Sequence, residues 1–213
     1  MFNYNEFRLP GRWTLETHDE YCASYTNDAG DLLSLHDILQ RPDIAADVND
    51  AGALRRFYRG AAESSGMVML EVDSARVAAL TAVRTIFKGR LHDTGFVFLG
   101  SYTLPFHSSA IVIKVQSSEA GVSDAREIAA MVSEARELAW EHDPYEPAYC
   151  GQFMRNRADD PKYDAAFPDH PLSKVRRYLA ELAHTLEVST RIRLLPPYVY
   201  DHREWAYSQS QER

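Results

Sequence analysis

The residues with the clearest chemical potential lie in one proline-rich stretch, residues 141–170. A metal site in this stretch would draw on His142, Asp143, Asp159, Asp160, Asp164, Asp169 and His170. Carboxylate oxygens and imidazole nitrogens both bind divalent ions in proteins, so one hypothesis is a metal-dependent or small-molecule hydrolase. The ligands that this hypothesis selects are His142, Asp143, Asp159, Asp160 and His170. Neither a His-Glu-x-x-His spacing nor an Asp-x-Asp-x-Asp-Gly loop accompanies them, so no particular metalloenzyme family is indicated.

The same stretch also has a structural interpretation. Its aromatic side chains would pin an irregular backbone to the domain; they are Tyr145, Tyr149, Phe153, Tyr163 and Phe167. Asp169 or His170 would then cap the helix that follows. Tyrosine is also enriched at protein interfaces, which predicts partner contacts at Tyr145, Tyr149 and Tyr163.

Three basic residues fall within predicted strands: Arg84, Lys88 and Lys114. On one sheet face they would form a platform for an anion or a carboxylate. The alternative is a solvated ladder of ion pairs with Glu71 and Asp73, in which each pair contributes about 0.2–1 kcal/mol. Most surface charges are only solvated, which favours the ladder.

These side chains depend on a sheet that the sequence predicts between residues 67 and 116. Four short runs there are rich in Val, Ile, Phe, Thr and Tyr, namely MVMLEV, LTAVRTIF, GFVFLGSYTL and SAIVIKVQ. The connections between these runs are too short for the crossover that a parallel pair of strands needs. We therefore predict a four-stranded antiparallel meander.

Two hairpins and a helix are predicted before the meander. The first hairpin turns at Pro10-Gly11, and the second spans residues 21–36. The helix begins after Asp50, its N-cap, and stops at Gly66. The expected fold class is α+β, with an antiparallel sheet of about six strands covered by helices and extended by a C-terminal helical segment.

A resemblance to a known family supports this class. The pattern Phe7, Leu9, Pro10 and Trp13, followed by a hairpin, a helix, a meander and a helix, resembles the PsbP-like α/β/α sandwich. That fold includes photosystem accessory proteins, a Ran-binding transport factor and several bacterial lipoproteins or secretion chaperones, so the resemblance implies protein binding and not catalysis. It covers residues 7–140 and leaves about 70 of the 213 residues without a counterpart. Residues 80–88 and 99–106 also resemble uncharacterised bacterial proteins.

Two helices are predicted beyond the meander. The first, from its N-cap Ser123 to about Trp140, would be the second helix that covers the sheet, through an apolar stripe. This stripe consists of Ile128, Met131, Val132, Ala135, Leu138 and Ala139. The second helix begins at Pro171, a residue favoured at the first helical position. Its apolar stripe consists of Leu172, Val175, Leu179, Leu182 and Leu186.

Composition limits the partners. With 31 acidic and 23 basic residues the chain has a net charge of −8, which disfavours a nucleic acid partner. Cys22 and Cys150 form no metal-ligand spacing, and neither an apolar leader nor a membrane-spanning run of about 18 apolar residues occurs. We therefore expect a soluble, cytoplasmic protein.

The expected organisation is one α+β domain over residues 1–196, followed by a flexible tail over 197–213. Residues 7–140 would form the core of the domain, and residues 141–196 an irregular excursion plus a helix. The sequence contains no phosphate-loop, dinucleotide, nucleophile-elbow or Cys-x-x-Cys motif, and we predict no catalytic residue and no cofactor. The sequence favours a protein that binds another protein as an adaptor, chaperone or immunity-type inhibitor, with homo-oligomerisation left open.

Overall fold

The computed structural model describes residues 3–91, 95–119, 125–134, 140–141, 143, 145–146 and 155–201. The strands are β1 (Phe7–Arg8), β2 (Thr14–His18), β3 (Cys22–Thr26), β4 (Leu32–Ile38), β5 (Val68–Val77), β6 (Leu80–Arg90), β7 (Phe96–Pro105), β8 (Ala110–Ser118), β9 (Trp140–Glu141), β10 (Arg155–Asn156) and β11 (Glu187–Val188). The helices are α1 (Ala51–Ser64), α2 (Ala125–Glu134), α3 (Pro171–Thr185) and α4 (Thr190–Arg193). Short 3-10 turns occur at Tyr4–Glu6, Arg157–Asp159 and Pro161–Tyr163.

Seven strands form one antiparallel sheet in the order β2-β3-β4-β8-β7-β6-β5. The predicted meander is confirmed as β5 to β8, since each strand pairs with the next along the chain. The second predicted hairpin is confirmed as β3 and β4, and β4 also pairs with β8. This β4–β8 pairing joins the N-terminal strands to the meander. The α+β class is confirmed, with seven strands in the main sheet where about six were expected.

The first predicted hairpin, at Pro10-Gly11, is wrong. Strand β1 pairs with β11, where Phe7 lies opposite Val188, and β2 pairs with β3. The reason is burial, because Phe7 and Val188 are 7% and 6% exposed and belong to the same apolar cluster. A pairing with residues so distant in the chain leaves no trace in local periodicity.

Helix α3 covers one face of the sheet. It begins at Pro171 as predicted. Its predicted apolar stripe is buried throughout: Leu172, Val175, Leu179, Leu182 and Leu186. A Cβ at position 100 on β7 would lie 2.6 Å from Val175 Cγ1 and 2.8 Å from Leu179 Cδ1. The close approach of the helix to the sheet therefore requires the glycine at Gly100.

Helix α1 covers the opposite face, at β5 and β6. Asp50 caps it as predicted by accepting a hydrogen bond from Ala53 N at 2.9 Å. The chain leaves the helix at Gly66, whose φ of 65° favours glycine. Leu54 is fully buried in a second apolar cluster with Met69, Val72 and Val83. Helices α1 and α3 thus lie on opposite faces of the sheet, with α1 over its β5–β6 end.

Helix α2 does not cover the sheet, so the predicted orientation of this helix is wrong. Ile128, Met131 and Val132 are 56%, 41% and 76% exposed. The buried residue Ala130 packs instead against Ala158 and Tyr163, in the two 3-10 turns that follow β10. Helix α3, whose apolar stripe is buried, covers the sheet where α2 was expected to do so.

Trp140, the approximate predicted end of this helix, is not helical. Trp140 lies in β9 and pairs with Asn156 of β10. Residues 123–124 and 135–139 of the predicted helix lie outside the described residues.

The first residues of the predicted tail contact the domain. Pro197 forms a bridge with Phe106, and the Tyr198 hydroxyl donates to the Ile44 carbonyl at 2.5 Å. The rest of the predicted tail, residues 202–213, lies outside the described residues. Within the part of the chain that the structure describes, no helix has both the length and the apolar character that crossing a membrane requires.

Candidate functional site

Arg126 ties α2 to the rest of the domain. Its side chain is 1% exposed and donates to the carbonyls of Ala158 and Asp160, at 2.5 and 3.0 Å. It also donates to Ser173 Oγ at 2.6 Å and to Asp164 Oδ1 at 2.9 Å. A buried guanidinium is tolerated only with acceptors of this kind around it. The polar side of α2 is therefore the inward side.

Ion pairs continue from Asp164 to the sheet through Arg176 on α3. Arg176 Nη1 lies 3.0 and 3.1 Å from the two Asp164 carboxylate oxygens, and its Nε lies 2.6 Å from Glu71 Oε1. Glu71 also accepts a hydrogen bond from Arg84 Nη1 at 2.5 Å. Burial alone would raise the pKa of Glu71, but Arg176 and Arg84 outweigh it and hold that pKa below its usual range. The charged carboxylate thus links β5, β6 and α3.

A second buried ion pair joins Lys88 on β6 to Asp159. Lys88 Nζ lies 3.0 and 3.2 Å from the two carboxylate oxygens, and the side chains are 1% and 2% exposed. Asp159 Oδ2 also accepts a hydrogen bond from Asn156 N at 2.9 Å. The pair attaches the turn after β10 to the sheet, and Lys88 is too buried to contact a partner.

The outward side of α2 carries a row of large apolar side chains, which we call the α2 ridge: Ile128, Met131 and Val132. They follow the i, i+3, i+4 spacing of one helical face. Between Ala125 and Ser133 no exposed side chain is charged, since Arg126 is buried and Glu127 is half-buried. The ridge is therefore an exposed apolar strip on a helix whose opposite side is fixed.

A cavity of about 430 Å³ lies beside the start of α2, and Glu119 and His170 are among its walls. His170 caps α3, as one of the two predicted capping residues, by accepting the Leu172 N–H at Nδ1 over 3.2 Å. Its Nε2 lies 3.7 Å from Glu119 Oε1. Glu119, Glu127 and His170 each offer one ligand atom, and these atoms lie within 4.8 Å of one another. This cluster has the spacing of a divalent cation site.

The three predicted cations do not share a sheet face. Arg84 lies opposite Tyr102 in the strand register, and Tyr102 lies opposite Ile113. Lys114, the next residue along β8, therefore points to the other face, because side chains alternate along a strand. Arg84 and Lys88 lie on the α3 side and pair with acidic groups, so no common anion platform forms.

Lys114 is half-buried on the other face. It borders a cavity of about 210 Å³ together with Ser34 and His36. Burial lowers the pKa of His36, and the nearby Lys114 lowers it further. The His36 ring lies 2.8 Å from Ser34 Oγ, so this histidine has a hydrogen-bonding partner on its own strand.

The described tyrosines of the predicted partner surface are packed into the domain. The Arg55 guanidinium lies 3.7 Å above the ring of Tyr145. Tyr163 is 8% exposed, and its hydroxyl lies 2.8 Å from Ser133 Oγ. Both contacts support the structural interpretation of these side chains, and Tyr163 is too buried to be a partner contact. Tyr149 lies outside the described residues.

The described aspartates of the predicted metal set have separate partners. Asp143 accepts a hydrogen bond from Arg59 Nε at 2.9 Å. Asp160 caps the Pro161–Tyr163 turn by accepting the Lys162 N–H at 2.9 Å. Asp159 is occupied by its buried ion pair. These residues do not converge on one cation.

Only His170 of that predicted set belongs to the cluster with metal-ligand spacing, as far as the described residues show. His142 lies outside them. Glu127 was missed as a ligand because the helix dipole already explains an acidic residue in the first turn of α2, and Glu119, directly after β8, belongs to no metal-binding motif. The approach of His170 to these glutamates depends on tertiary packing, and no spacing in the sequence signals it.

No family model matches this chain, and none of the curated proteins does. Among solved structures, the Saccharomyces cerevisiae Ran-binding protein Mog1p is similar at 10% identity with a TM-score of 0.44, over 86% of this chain and 90% of that chain. LpqN, involved in cell envelope biogenesis of Mycobacterium tuberculosis, is similar at 10% identity with a TM-score of 0.38, over 86% and 82% of the two chains. A protein from Bacteroides thetaiotaomicron VPI-5482 is similar at 9% identity with a TM-score of 0.33, over 57% and 41%. These similarities assign no function to this chain, and the PsbP-like resemblance stays a prediction.

Proposed function

We propose that this protein functions by binding another protein through the α2 ridge. The supporting observation is the exposure of Ile128, Met131 and Val132, which is 56%, 41% and 76% on one helical face. Contiguous exposed apolar side chains mark interaction sites. Anchors spaced i, i+3 and i+4 are those that a helix presents to a groove in its partner. Because buried Arg126 fixes the opposite side, the helix cannot turn the ridge inward without losing those hydrogen bonds.

The partner surface that fits the ridge is an apolar groove. Full burial of a Val, Ile or Met side chain contributes about 1.5–3 kcal/mol, so the three together supply at most about 9 kcal/mol. Association itself costs about 4–15 kcal/mol in lost translational and rotational freedom. The ridge is therefore the centre of an interface, and surfaces beside it have to contribute to a stable complex.

More specifically, the protein would act in the cytoplasm as an adaptor, a chaperone or an immunity-type inhibitor. These roles differ in which protein binds to the α2 ridge. The alternative function, a metal-dependent or small-molecule hydrolase built from residues 141–170, has less support. The described aspartates of that set already serve as an ion-pair member, a turn cap and a partner of Arg59.

The test is quantitative affinity purification from cells that express the chain, followed by mass spectrometry. The bait is compared with a double variant, Ile128→Ser with Val132→Ser, and with the control Leu39→Ser. Leu39 is 63% exposed and lies outside α2, so the control removes a similar exposed side chain. We expect a partner that the wild type and Leu39→Ser retain and that the double variant loses at least tenfold.

Equal recovery of every partner by all three baits would contradict the proposal. Thermal unfolding of the purified baits controls for misfolding, since exposed serine substitutions should leave stability within about 0.5 kcal/mol. Recovery of a tagged second copy by wild type alone identifies self-association as the form of binding, and light scattering then measures its stoichiometry.

A further inference from the structure

We propose that Glu119, Glu127 and His170 bind one divalent transition-metal ion. The ligand atoms of these residues lie within 4.8 Å of one another. Two carboxylate oxygens and one imidazole nitrogen form a mixed donor set that suits Zn²⁺ and Mn²⁺. The site is separate from the α2 ridge and does not depend on the function proposed for it.

Two buried polar atoms point to a ligand in this cluster. Glu127 Oε2 and His170 Nε2 have no hydrogen-bond partner among the described residues. The His170 side chain is only 7% exposed, and its Nε2 is 3.7 Å from Glu119 Oε1, which is beyond hydrogen-bonding distance. Buried polar atoms are rarely left unsatisfied in folded proteins. One cation between these residues would satisfy Glu127 Oε2 directly, and His170 Nε2 only after its proton has moved, whereas the helix dipole explains only the position of Glu127.

The surrounding residues hold Glu119 and His170 in place. Glu119 Oε2 accepts the Phe96 N–H at 2.7 Å, so Oε1 remains for the cation. Gly95 has a φ of 89°, and a Cβ there would lie 2.6 Å from Glu119 Oε2, so the glycine makes room for this carboxylate. The Phe98 ring packs edge-on against His170, with 5.4 Å between the ring centroids. Outer contacts of this kind orient metal ligands.

Metal binding requires a tautomer change at His170. In the neutral ring Nδ1 accepts the Leu172 N–H, so Nε2 carries the ring proton. A metal ion binds the lone pair of Nε2, so the proton has to move to Nδ1, and the hydrogen bond from Leu172 is given up. The site therefore binds more weakly than one whose imidazole already has the required tautomer.

Equilibrium dialysis of the purified chain against MnCl₂ or ZnCl₂, followed by metal analysis, tests the site. The variants are Glu127→Gln, which keeps the side-chain shape, and His170→Asn, which keeps a favoured helix N-cap but removes Nε2. The matched control is Asp169→Asn, because Asp169 lines the same cavity. We expect one equivalent of metal in the wild type and the control, and at least tenfold weaker binding in both variants. With Mn²⁺, the nitrogen hyperfine coupling seen by electron paramagnetic resonance should disappear in His170→Asn.

Failure of the wild type to retain either metal at millimolar concentration would overturn the proposal. Equal retention by the wild type and both variants would overturn it as well, since the metal would then be bound elsewhere. Circular dichroism shows whether each variant is folded. If Glu127→Gln does not fold, Glu119→Gln replaces it, because its amide oxygen still accepts the Phe96 N–H.

Discussion

At the residue scale, the buried pair of Lys88 and Asp159 offers the sharpest stability test. Replacing Lys88 by Met leaves Asp159 buried without its cation, and we expect a loss of about 3–5 kcal/mol in the free energy of unfolding. The matched control is Arg8→Met, since Arg8 and Glu187 form a pair whose side chains are 82% and 63% exposed. Exposed pairs contribute less than about 1 kcal/mol. Urea unfolding measures the free energy of unfolding of both variants and of the wild type.

The double variant Lys88→Met with Asp159→Leu separates the two contributions. Removing both charges should recover much of the stability that the single variant loses, because an uncompensated buried charge is the main cost. A single Lys88→Met variant no less stable than Arg8→Met would contradict the buried geometry.

Asp31 makes stability depend on pH. Its carboxylate accepts hydrogen bonds from Lys174 Nζ at 2.8 Å, Ser117 Oγ at 2.5 Å and the Tyr178 hydroxyl at 2.6 Å. Burial alone would raise the pKa of Asp31, but these donors outweigh burial and hold that pKa below its usual value. The carboxylate therefore stabilises the fold fully above the unfolded-state pKa of about 3.9. That stabilisation is lost as the pH falls through the lower, folded-state pKa.

The measurement is the free energy of unfolding of the wild type minus that of Asp31→Asn, followed from pH 7 to pH 3. Above about pH 5 we expect a constant difference of about 1–3 kcal/mol. Below about pH 4 the difference should shrink, because the unfolded wild-type chain takes up a proton at Asp31 while the folded carboxylate stays charged to a lower pH. A difference that stays constant to pH 3 would show that Asp31 acts through shape and not through charge.

At the element scale, the contact between α3 and the sheet is tested at Gly100. An added methyl group would overlap Val175 Cγ1 at 2.6 Å, so we expect Gly100→Ala to lose about 1–3 kcal/mol of stability. Gly60→Ala in α1 is the matched control, since nothing lies within 4 Å of the added Cβ. That control should gain up to about 1 kcal/mol from helix propensity. If both variants lost stability, or both gained it, the packing described for α3 would be contradicted.

The attachment of α2 is tested by Arg126→Met. The variant removes the donors that hold the helix to Ser173 and Asp164 and leaves buried carbonyls unpaired. We expect hydrogen exchange in α2 to accelerate at least tenfold while exchange in β6 and β7 stays unchanged. Arg177→Met is the control, since Arg177 contacts the exposed Pro168 carbonyl. Unchanged exchange in α2 would show that other contacts hold the helix.

The elements that the sequence predicted well are those set by local signals. The meander, α1 and α3 each combine a clear period with caps or turns, such as Asp50 and Pro171. The predictions for β1 and α2 are wrong because the position of each element depends on packing against an element that is distant in the chain. Phe7 is buried beside Val188, and α3 covers the sheet where α2 was expected to do so. Lys114 and Arg84 lie on different faces of the sheet because of the strand register, and local sequence patterns do not predict that register.

At the scale of the whole molecule, charge helps to choose the partner. The chain carries a net charge of −8, so two copies repel one another over the screening length of the solution. The α2 ridge has no exposed charge that would offset this repulsion. We therefore favour a different protein with an apolar groove and a neutral or basic rim over a second copy. Partner binding should weaken as salt increases if the rim is basic.

The most direct test of the account is position-resolved photo-cross-linking in cells that express the chain. A photoreactive amino acid replaces Val132 in the ridge or, as the control, Leu39, and adducts are identified by mass spectrometry. We predict a defined protein adduct from position 132 that position 39 does not give and that Met131→Glu abolishes. The same adducts from both positions, or none from position 132, would contradict protein binding through the α2 ridge.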